Sequence, residues 1–336
     1  MSSLSKMPEL VLENIIGFSD FRSVLTLRQV CRDFRNFIDD LNDSKLPDSK
    51  FTKIEIISEK NENKIILDFF HSKKSFDCIE YSEMENSRKF QEKMTNLENS
   101  NIVDVVIQDL KLILKFQKSN LEFLSFCFAD FQLQKDSSIH NLPIKLRNIL
   151  HESNQKIKAK KFTIKAHNQS QIMSVPPFAD PETLEFIDLH SFDDDKKIQY
   201  DEIIKTEQWK KAQMFRSEFH LLNLNVEDIC HFSPCILTTN RITARDLDFL
   251  KKTYIRSSKF NFSIFELKNF NENDEISNLW GPAFSVESKL HWYFRMKNCE
   301  EKILHMEIFL ARYFKCYIIE MNHVHNGAIV HDYNEN

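Results

Sequence analysis

The sequence predicts an α + α/β fold, in which a compact N-terminal module of three helices precedes a longer solenoid of strands and helices. Up to residue 41, apolar residues recur three and four positions apart, as they do on one face of a helix. From residue 51 onward, short apolar strands alternate with helical or polar segments. A chain of 336 residues is longer than one hydrophobic core usually serves, so we expect two structural units.

Three short helices are predicted within residues 7–41. Pro8 suits the first turn of a helix that continues to Phe18, because the missing N–H of proline would have had no partner there. Asp20 or Ser23 can cap the second helix. The apolar positions of the three helices are Leu12, Ile15 and Ile16, then Val24, Leu25 and Leu27, and last Val30, Cys31, Phe34, Phe37, Ile38 and Leu41.

These helices have more apolar surface than they can bury against one another. Domains shorter than about 40 residues seldom fold unaided. We therefore expect Ile16, Leu25 and Val30 to stay incompletely covered until another protein covers them. The alternative, which periodicity alone leaves open, is that the helices only cap the domain that follows.

The stretch MPELVLENIIGFSDFRSVLTLRQVCRDFRNFIDD resembles an F-box. It has Pro8 after an apolar residue, Leu/Ile pairs in the first helix, Asp20 at the turn and then L-x-L-R-x-V-C-R. Met7 and Phe34 stand where Leu and Trp are usual. The resemblance implies docking onto the Skp-type adaptor of a cullin-RING ubiquitin ligase. The residues that it assigns to a mixture of adaptor contacts and module core are Pro8, Leu12, Ile15, Ile16, Leu25, Leu27, Val30 and Cys31.

Residues 51–325 are expected to form a degenerate leucine-rich-repeat-like solenoid of strands and helices. NLEFLSFCF recurs later in the chain as TLEFIDLHSF. Further strands are predicted near residues 161–165, 212–217, 234–239, 259–267, 290–297 and 314–321. Helices are predicted at IVDVVIQDLKLILKF, TARDLDFLKKTYIRS and CEEKILHMEIFLARY, and strands separated by helices at intervals of about 20 to 30 residues are typical of solenoids. A conventional α/β or α+β domain remains the alternative.

A second resemblance covers residues 160–321. YDEIIKTEQWKKAQMF, ITARDLDFLKKTYIRSSKFNFSIFEL and WYFRMKN resemble the FTH-type domain that follows an F-box in the nematode F-box A family. The resemblance implies a protein-interaction or substrate-receptor region. We expect Trp209 to be a packing residue, because apolar residues flank it.

Composition argues against catalysis. Phosphate-binding loops and nucleophile elbows need glycine, and the chain has three, none in such a motif. The net charge of −5 does not favour a nucleic acid partner.

Seven dispersed cysteines are typical of free thiols in a reducing compartment, and neither a signal peptide nor a membrane span is expected. We expect a cytoplasmic or nuclear protein that is not an enzyme and needs no cofactor.

Two histidine-containing motifs are candidate metal sites. CHFSPC brings together Cys230, His231 and Cys235, and HVHNGAIVH brings together three histidines, but neither motif has the second ligand pair that zinc sites usually require. No metal site is therefore expected. The lysines of NQKIKAKKF are expected in a solvated loop, and Asp193, Asp194 and Asp195 in a turn.

The sequence thus predicts a substrate-receptor subunit of an SCF-type ubiquitin ligase, which binds a Skp-type adaptor and, through it, a cullin. The receptor would position a protein substrate and perform no chemistry itself. The alternative is a stand-alone interaction scaffold whose N-terminal helices only cap the solenoid. The sequence does not identify the substrate or the residues that bind it.

Overall fold

A computed structural model describes residues 7–59, 62–72, 74–97, 100–129, 137–153, 156–268, 270–297, 299–309 and 312–333. The chain divides into two compact units. The first comprises residues 1–160 and 178–183, and the second comprises residues 161–177 and 184–336.

The first unit begins with the three predicted helices, which we call the helical module: α1 (Glu9–Phe18), α2 (Phe21–Val30) and α3 (Arg32–Asp40). Asp20 caps α2, because its carboxylate accepts a hydrogen bond from the backbone N–H of Ser23 at 2.8 Å. The prediction of three helices in this region is therefore confirmed.

Six strands follow the helical module: β1 (Lys53–Glu59), β2 (Lys64–Ser72), β3 (Ser75–Ser82), β4 (Ser87–Phe90), β5 (Lys93–Asn96) and β6 (Leu121–Phe128). They pair in the order β5-β4-β3-β2-β1-β6, antiparallel except for β1 and β6. Two helices complete the unit: α4 (Ile102–Phe116), as predicted, and α5 (Leu142–Ser153). Burial alternates along β1, so one face of this sheet is in the core.

The second unit contains a mixed sheet. Its strands are β7 (Ala159–Ala166), β8 (Phe186–Ser191), β9 (Lys197–Gln199), β10 (Met214–Leu222), β11 (Cys235–Thr239), β12 (Phe262–Leu267), β13 (Phe284–Val286), β14 (Lys289–Met296), β15 (Cys299–Phe309), β16 (Tyr313–Glu320) and β17 (Val330–His331). Strands β7, β8, β10, β11 and β12 are parallel and follow chain order, and β9 extends the pairing of β10. Antiparallel strands β16, β15, β14 and β13 continue from β12, and β17 pairs with β14.

Helices cover one face of this sheet. They are α6 (Gln169–Ile172), α7 (Glu207–Lys211), α8 (Ala244–Arg256) and α9 (Asn273–Trp280). Trp209 of α7 packs on Phe215 of β10 with ring centroids 4.6 Å apart, and Trp280 of α9 packs on Trp292 of β14 at 5.3 Å. Trp209 is fully buried, which confirms its predicted packing role. Single 3₁₀ turns along the chain lie at Asp43–Lys45, Ile139–Asn141, Pro176–Phe178, Ile203–Lys205, Val226–Asp228 and Met321–His323.

Most predicted strands of the second unit are present, but one predicted helix is wrong. CEEKILHMEIFLARY forms β15 over Cys299–Phe309, and residues 310–311 lie outside the described residues. Every residue from Ile303 to Ile308 is buried. A short segment that is buried on all sides shows no hydrophobic periodicity, so its sequence does not distinguish a helix from a strand. The fold is α+β, and the leucine-rich-repeat-like solenoid stays a prediction.

Candidate functional site

Large apolar side chains lie exposed on α1. Leu10, Val11 and Phe18 share one side of this helix, because they are spaced as helical neighbours, and Phe18 is 92% exposed while Leu10 is 66% exposed. Leu12 and Ile16 occupy the opposite side and are buried. The helix therefore has an apolar face toward the core and a second apolar face toward solvent, which is unusual for a helix on a protein surface.

A second exposed apolar position lies at the end of α2. Val30 is 65% exposed. Together with the half-buried Leu27 it lines a depression of about 380 Å³, whose remaining walls are Arg22, Ser23 and Thr26. We call Leu10, Val11, Phe18 and Val30 the exposed apolar set.

The eight residues assigned by the F-box resemblance fall into three classes of burial. Leu12 and Ile16 are buried; Ile15, Leu25, Leu27 and Cys31 are half-buried; Pro8 and Val30 are exposed. The expectation that Ile16 stays incompletely covered is wrong, because it faces the core of its own unit with 0% exposure. Leu10, Val11 and Phe18 were not singled out from the sequence, although their spacing of one, seven and eight positions was readable there.

The inner side of the helical module packs on its own unit. Phe21 of α2 contacts three rings in edge-to-face geometry: Phe51 and Phe116 at centroid distances of 5.1 Å, and Phe69 at 6.2 Å. Such contacts contribute beyond the burial of area alone. The helical module is thus fixed through Phe21 while the exposed apolar set remains open to solvent.

A charged cluster joins α2 to β2 and β3. Arg22 donates to Asp77 at 2.7 Å, and His71 lies 2.8 Å from the same carboxylate oxygen. Burial would raise the pKa of Asp77, but hydrogen bonds with His71 and Arg22 outweigh it and lower the pKa. This partly buried cluster sets the orientation of α2 on the strands.

A groove of about 960 Å³ in the first unit lies between the helical module, α4 and α5. Its walls include Lys115 and Lys118. The Lys115 ammonium donates to the carbonyl oxygen of Asp39 at 2.7 Å, and the Lys118 ammonium donates to that of Ser44 at 2.9 Å. These lysines therefore bond to backbone at the end of the helical module, which is a structural role.

In the second unit, the face of the sheet opposite the helices carries exposed or half-exposed residues in strands β7, β8, β10, β11, β12 and β16, whereas His291 of β14 and Glu307 of β15 are buried. One row of directly paired residues crosses eight strands: Thr163, Asp188, Arg216, Ile236, Ile264, Lys315, Glu307 and His291. Paired residues point to the same side of a sheet. We call this the open sheet face; it mixes charged, aliphatic and imidazole side chains.

Asp188 is the electrostatic centre of one half of the open sheet face. It is 2% exposed, its carboxylate lies 2.7 Å from Lys161 Nζ and 3.1 Å from His190 Nε2, and His190 Nδ1 lies 2.8 Å from Glu218. Burial would raise the pKa of Asp188, but the hydrogen bonds from His190 and Lys161 lower it. The hydrogen bond to Asp188 raises the pKa of His190 despite partial burial.

Neither metal motif of the sequence forms a cluster of three ligands within the residues that the structure describes. His231 Nε2 lies 3.0 Å from the carbonyl oxygen of Trp209, Cys235 is buried in β11, and burial raises the pKa of its thiol. Within the described residues, the group of three potential ligands is His291, His305 and Glu307 instead, at the end of the open sheet face.

Residues 193–195 lie in a turn, as predicted. Lys156 and Lys158 are exposed and lie outside the helices and strands, as expected for a solvated loop. For Lys160 and Lys161 the expectation is wrong, because both lie in β7, where Lys160 pairs with Glu122 at 2.8 Å and Lys161 with Asp188. Of NQKIKAKKF, residues 154–155 lie outside the described residues.

Comparison with known proteins identifies two domains. An F-box domain model matches residues 4–46, and an FTH domain model matches residues 140–282. The chain is similar to F-box A protein 224 of Caenorhabditis elegans, with 20% identity over 303 residues that cover 88% of this chain and 74% of that protein. No solved structure matches the chain. Among the described residues, no helix has the length and apolar character needed to cross a bilayer.

The chain therefore contains an F-box domain and an FTH domain, and an F-box implies protein–protein interaction in the context of an SCF ubiquitin ligase. The two domains and the similarity to F-box A protein 224 confirm the resemblance noted in the sequence and are consistent with a nematode F-box A family protein.

Proposed function

We propose that this protein is a substrate-receptor subunit of an SCF-type cullin-RING ubiquitin ligase. The F-box would bind a Skp-type adaptor and, through it, a cullin. The observation that carries this proposal is the exposed apolar set within an F-box whose inner side is already buried. Such a subunit acts in the cytoplasm or nucleus, has no catalytic residue or cofactor, and works by holding a substrate near the transfer reaction.

The energetics favour a partner on the exposed apolar set. Burying an aliphatic or aromatic side chain contributes about 1.5–3 kcal/mol, so the set supplies several kcal/mol toward association. Helix residues at such spacing are recognised as anchors in a partner's groove. The half-buried Ile15, Leu25, Leu27 and Cys31 and the exposed Pro8 would complete the contact, while Leu12 and Ile16 support it from the module core.

We assign substrate recognition to the open sheet face. Its strands β7, β8, β10, β11 and β12 run parallel in chain order, which is the arrangement that a leucine-rich-repeat-like solenoid would give. The half-exposed Ile236 and Ile264 lie between charged residues on both sides, so the face offers both burial and charge complementarity. The substrate is a protein of unknown identity.

The adaptor contact is tested by co-expression of the full chain with a Skp-type adaptor. Leu25→Asp together with Val30→Asp is expected to abolish co-purification, because two carboxylates would be buried without partners. Phe18→Asp with Val30→Asp changes two exposed positions only and is expected to do the same with an unaltered circular dichroism spectrum.

Ile144→Asp is the matched control, since Ile144 is an exposed aliphatic residue on α5, outside the helical module. It should leave a 1:1 complex intact. If folded chain carrying Phe18→Asp and Val30→Asp still co-purifies with adaptor at the wild-type level, the adaptor assignment is wrong.

The second candidate is a stand-alone interaction scaffold whose helical module only caps the following domain. The packing of Phe21 against Phe51, Phe69 and Phe116 favours it, because a cap needs such contacts. Under this reading the adaptor would change neither the yield nor the solubility of the chain. The same co-expression experiment therefore separates the two candidates.

A further inference from the structure

Three potential metal ligands converge on the antiparallel pair β14 and β15. His291 is paired directly with Glu307, and His305 lies two positions before Glu307 on the same face. One ligand atom from each of the three residues lies within 4.8 Å of the others. The turn after β16 lies beside them, because the ring of His325 is 5.0 Å from the ring of His291 between centroids.

All three side chains are withdrawn from water. His291 and His305 are each 4% exposed and Glu307 is 5% exposed. His291 Nδ1 lies 2.9 Å from His305 Nε2, a hydrogen bond that requires one imidazole to donate and the other to accept. Two imidazole nitrogens bound to one tetrahedral ion at about 2.0–2.1 Å stand about 3.3 Å apart. An ion therefore needs only a small separation of these two rings.

Burial favours the neutral form of both imidazoles in the cluster. Burial, and then the positive charges of His291, His325 and Lys289, lower the pKa of His305 to about 3, so its imidazole is neutral near pH 7. Burial likewise lowers the pKa of His291. Neutral imidazoles keep the lone pair that a metal requires.

Glu307 supplies the anionic ligand. Its Oε1 is buried and makes no hydrogen bond, although Lys289 Nζ lies 3.3 Å away at ion-pair distance. A buried carboxylate oxygen that accepts no hydrogen bond destabilises the fold, so a cation bound to it would be stabilising. Lys289 is partly exposed, so its ammonium can move into solvent when a cation binds.

We propose that His291, His305 and Glu307 form a binding site for a divalent transition-metal ion, of which Zn²⁺ suits two imidazoles and one carboxylate well. His325 offers a further donor beside His291: its Nδ1 is bonded to the hydroxyl of Tyr293, which leaves Nε2 for the ion. The site lies on β14, β15 and the turn after β16, beyond the residues matched by the FTH domain model. It is independent of the helical module.

Zinc titration of the metal-free full-length chain by isothermal calorimetry tests the site. We expect one equivalent of Zn²⁺, and binding weakened at least tenfold by His305→Gln and by Glu307→Gln. His323→Gln, at an exposed histidine outside the cluster, should bind zinc as the wild type does. With Co²⁺, the visible spectrum should show d–d bands without the charge-transfer band of thiolate ligation, because no cysteine belongs to the cluster.

A substitution that keeps every ligand covers the case in which His305→Gln or Glu307→Gln fails to fold. Lys289→Met removes the cation that competes for Glu307, so it should tighten zinc binding about threefold or more. A wild-type chain that binds no stoichiometric zinc overturns the site, as does equal zinc affinity in the wild type and folded His305→Gln. Unchanged or weaker binding by Lys289→Met also overturns it, and would leave the cluster as an internal hydrogen-bond network.

Discussion

The helical module and the open sheet face expose different chemistry. The module presents Leu10, Phe18 and Val30, with no charged residue in the exposed apolar set. The open sheet face presents Arg216 and Lys315 in the same row as two aliphatic residues, Ile236 and Ile264. Burial of an apolar surface contributes binding free energy with almost any apolar partner. A charged surface binds well only to a partner with complementary charges, so it discriminates between partners.

This difference matches a division of labour in a substrate receptor. A contact made with one invariant adaptor needs affinity, and a contact with a particular substrate needs selectivity. Under the proposed function, the first unit would support the adaptor contact by fixing α2 through Phe21, and the second unit would support substrate contact by holding Asp188 and its neighbours in an ion-pair cluster. Breaking each region separately tests whether the division is real.

The largest expected effect separates the two sides of the helical module. Phe21→Ala should lower the free energy of unfolding by about 3–5 kcal/mol, because it opens a cavity among three rings. Phe18→Ala should change it by less than about 0.5 kcal/mol, because Phe18 is almost fully exposed. Denaturant unfolding of the full chain measures both.

Adaptor affinity should depend more on Phe18 than on Phe21, which is the reverse of the order expected for stability. Phe18→Ala is expected to weaken adaptor binding while the chain stays folded. Phe123→Ala, an exposed phenylalanine on β6 outside the module, provides the control and should change adaptor binding little. Equal losses of stability for Phe18→Ala and Phe21→Ala would mean that the module does not have two distinct sides.

A smaller effect probes the open sheet face through pH. The pKa of His190 is raised in the folded chain by its hydrogen bond to Asp188, so its contribution to stability is complete below the unfolded value of about 6.5 and is lost as the pH rises through the folded value. Lys161, Arg216 and Glu218 are the other charged groups around it. The stability difference between wild type and His190→Gln should therefore shrink from pH 6 toward pH 9.

His151→Gln is the control for that series, because His151 is an exposed histidine at the end of α5. Its stability difference from wild type should not follow pH in the same way. A constant difference for His190→Gln across the range would show that the Asp188 pairing does not hold the protonated imidazole, and the electrostatic description of the open sheet face would be wrong.

Local sequence rules predicted the elements whose pattern is strong. The helices of the module, α4 and α8 follow from helical spacing and from capping residues such as Asp20. Strands β6 and β8 follow from the repeated apolar motif, and β7 lies where a strand was predicted near residues 161–165. The prediction of a helix over residues 299–313 was wrong. Residues 299–309 form β15, which pairs with β14 and β16 and is buried on both faces, so its sequence lacks the alternation of polar and apolar residues that identifies a strand.

The candidate sites were less accessible to sequence reasoning, because they depend on pairing. The His291–His305–Glu307 cluster joins two strands of a hairpin, and nothing in the order of residues fixes the register that places His291 opposite Glu307. Likewise, periodicity identified apolar positions on α1 and α2 but could not tell which side packs inward. Phe21 decides that, through contacts with residues 30 to 95 positions away.

The most direct test of the adaptor contact is hydroxyl-radical footprinting of the full chain, free and in complex with a Skp-type adaptor. Oxidation of Phe18 and Val30 should fall strongly in the complex, whereas Met84, which is 77% exposed in the first unit outside the helical module, should be oxidised equally in both states. Unchanged oxidation of Phe18 and Val30 in a stable 1:1 complex would contradict the proposal, because the adaptor would then be held by some other surface.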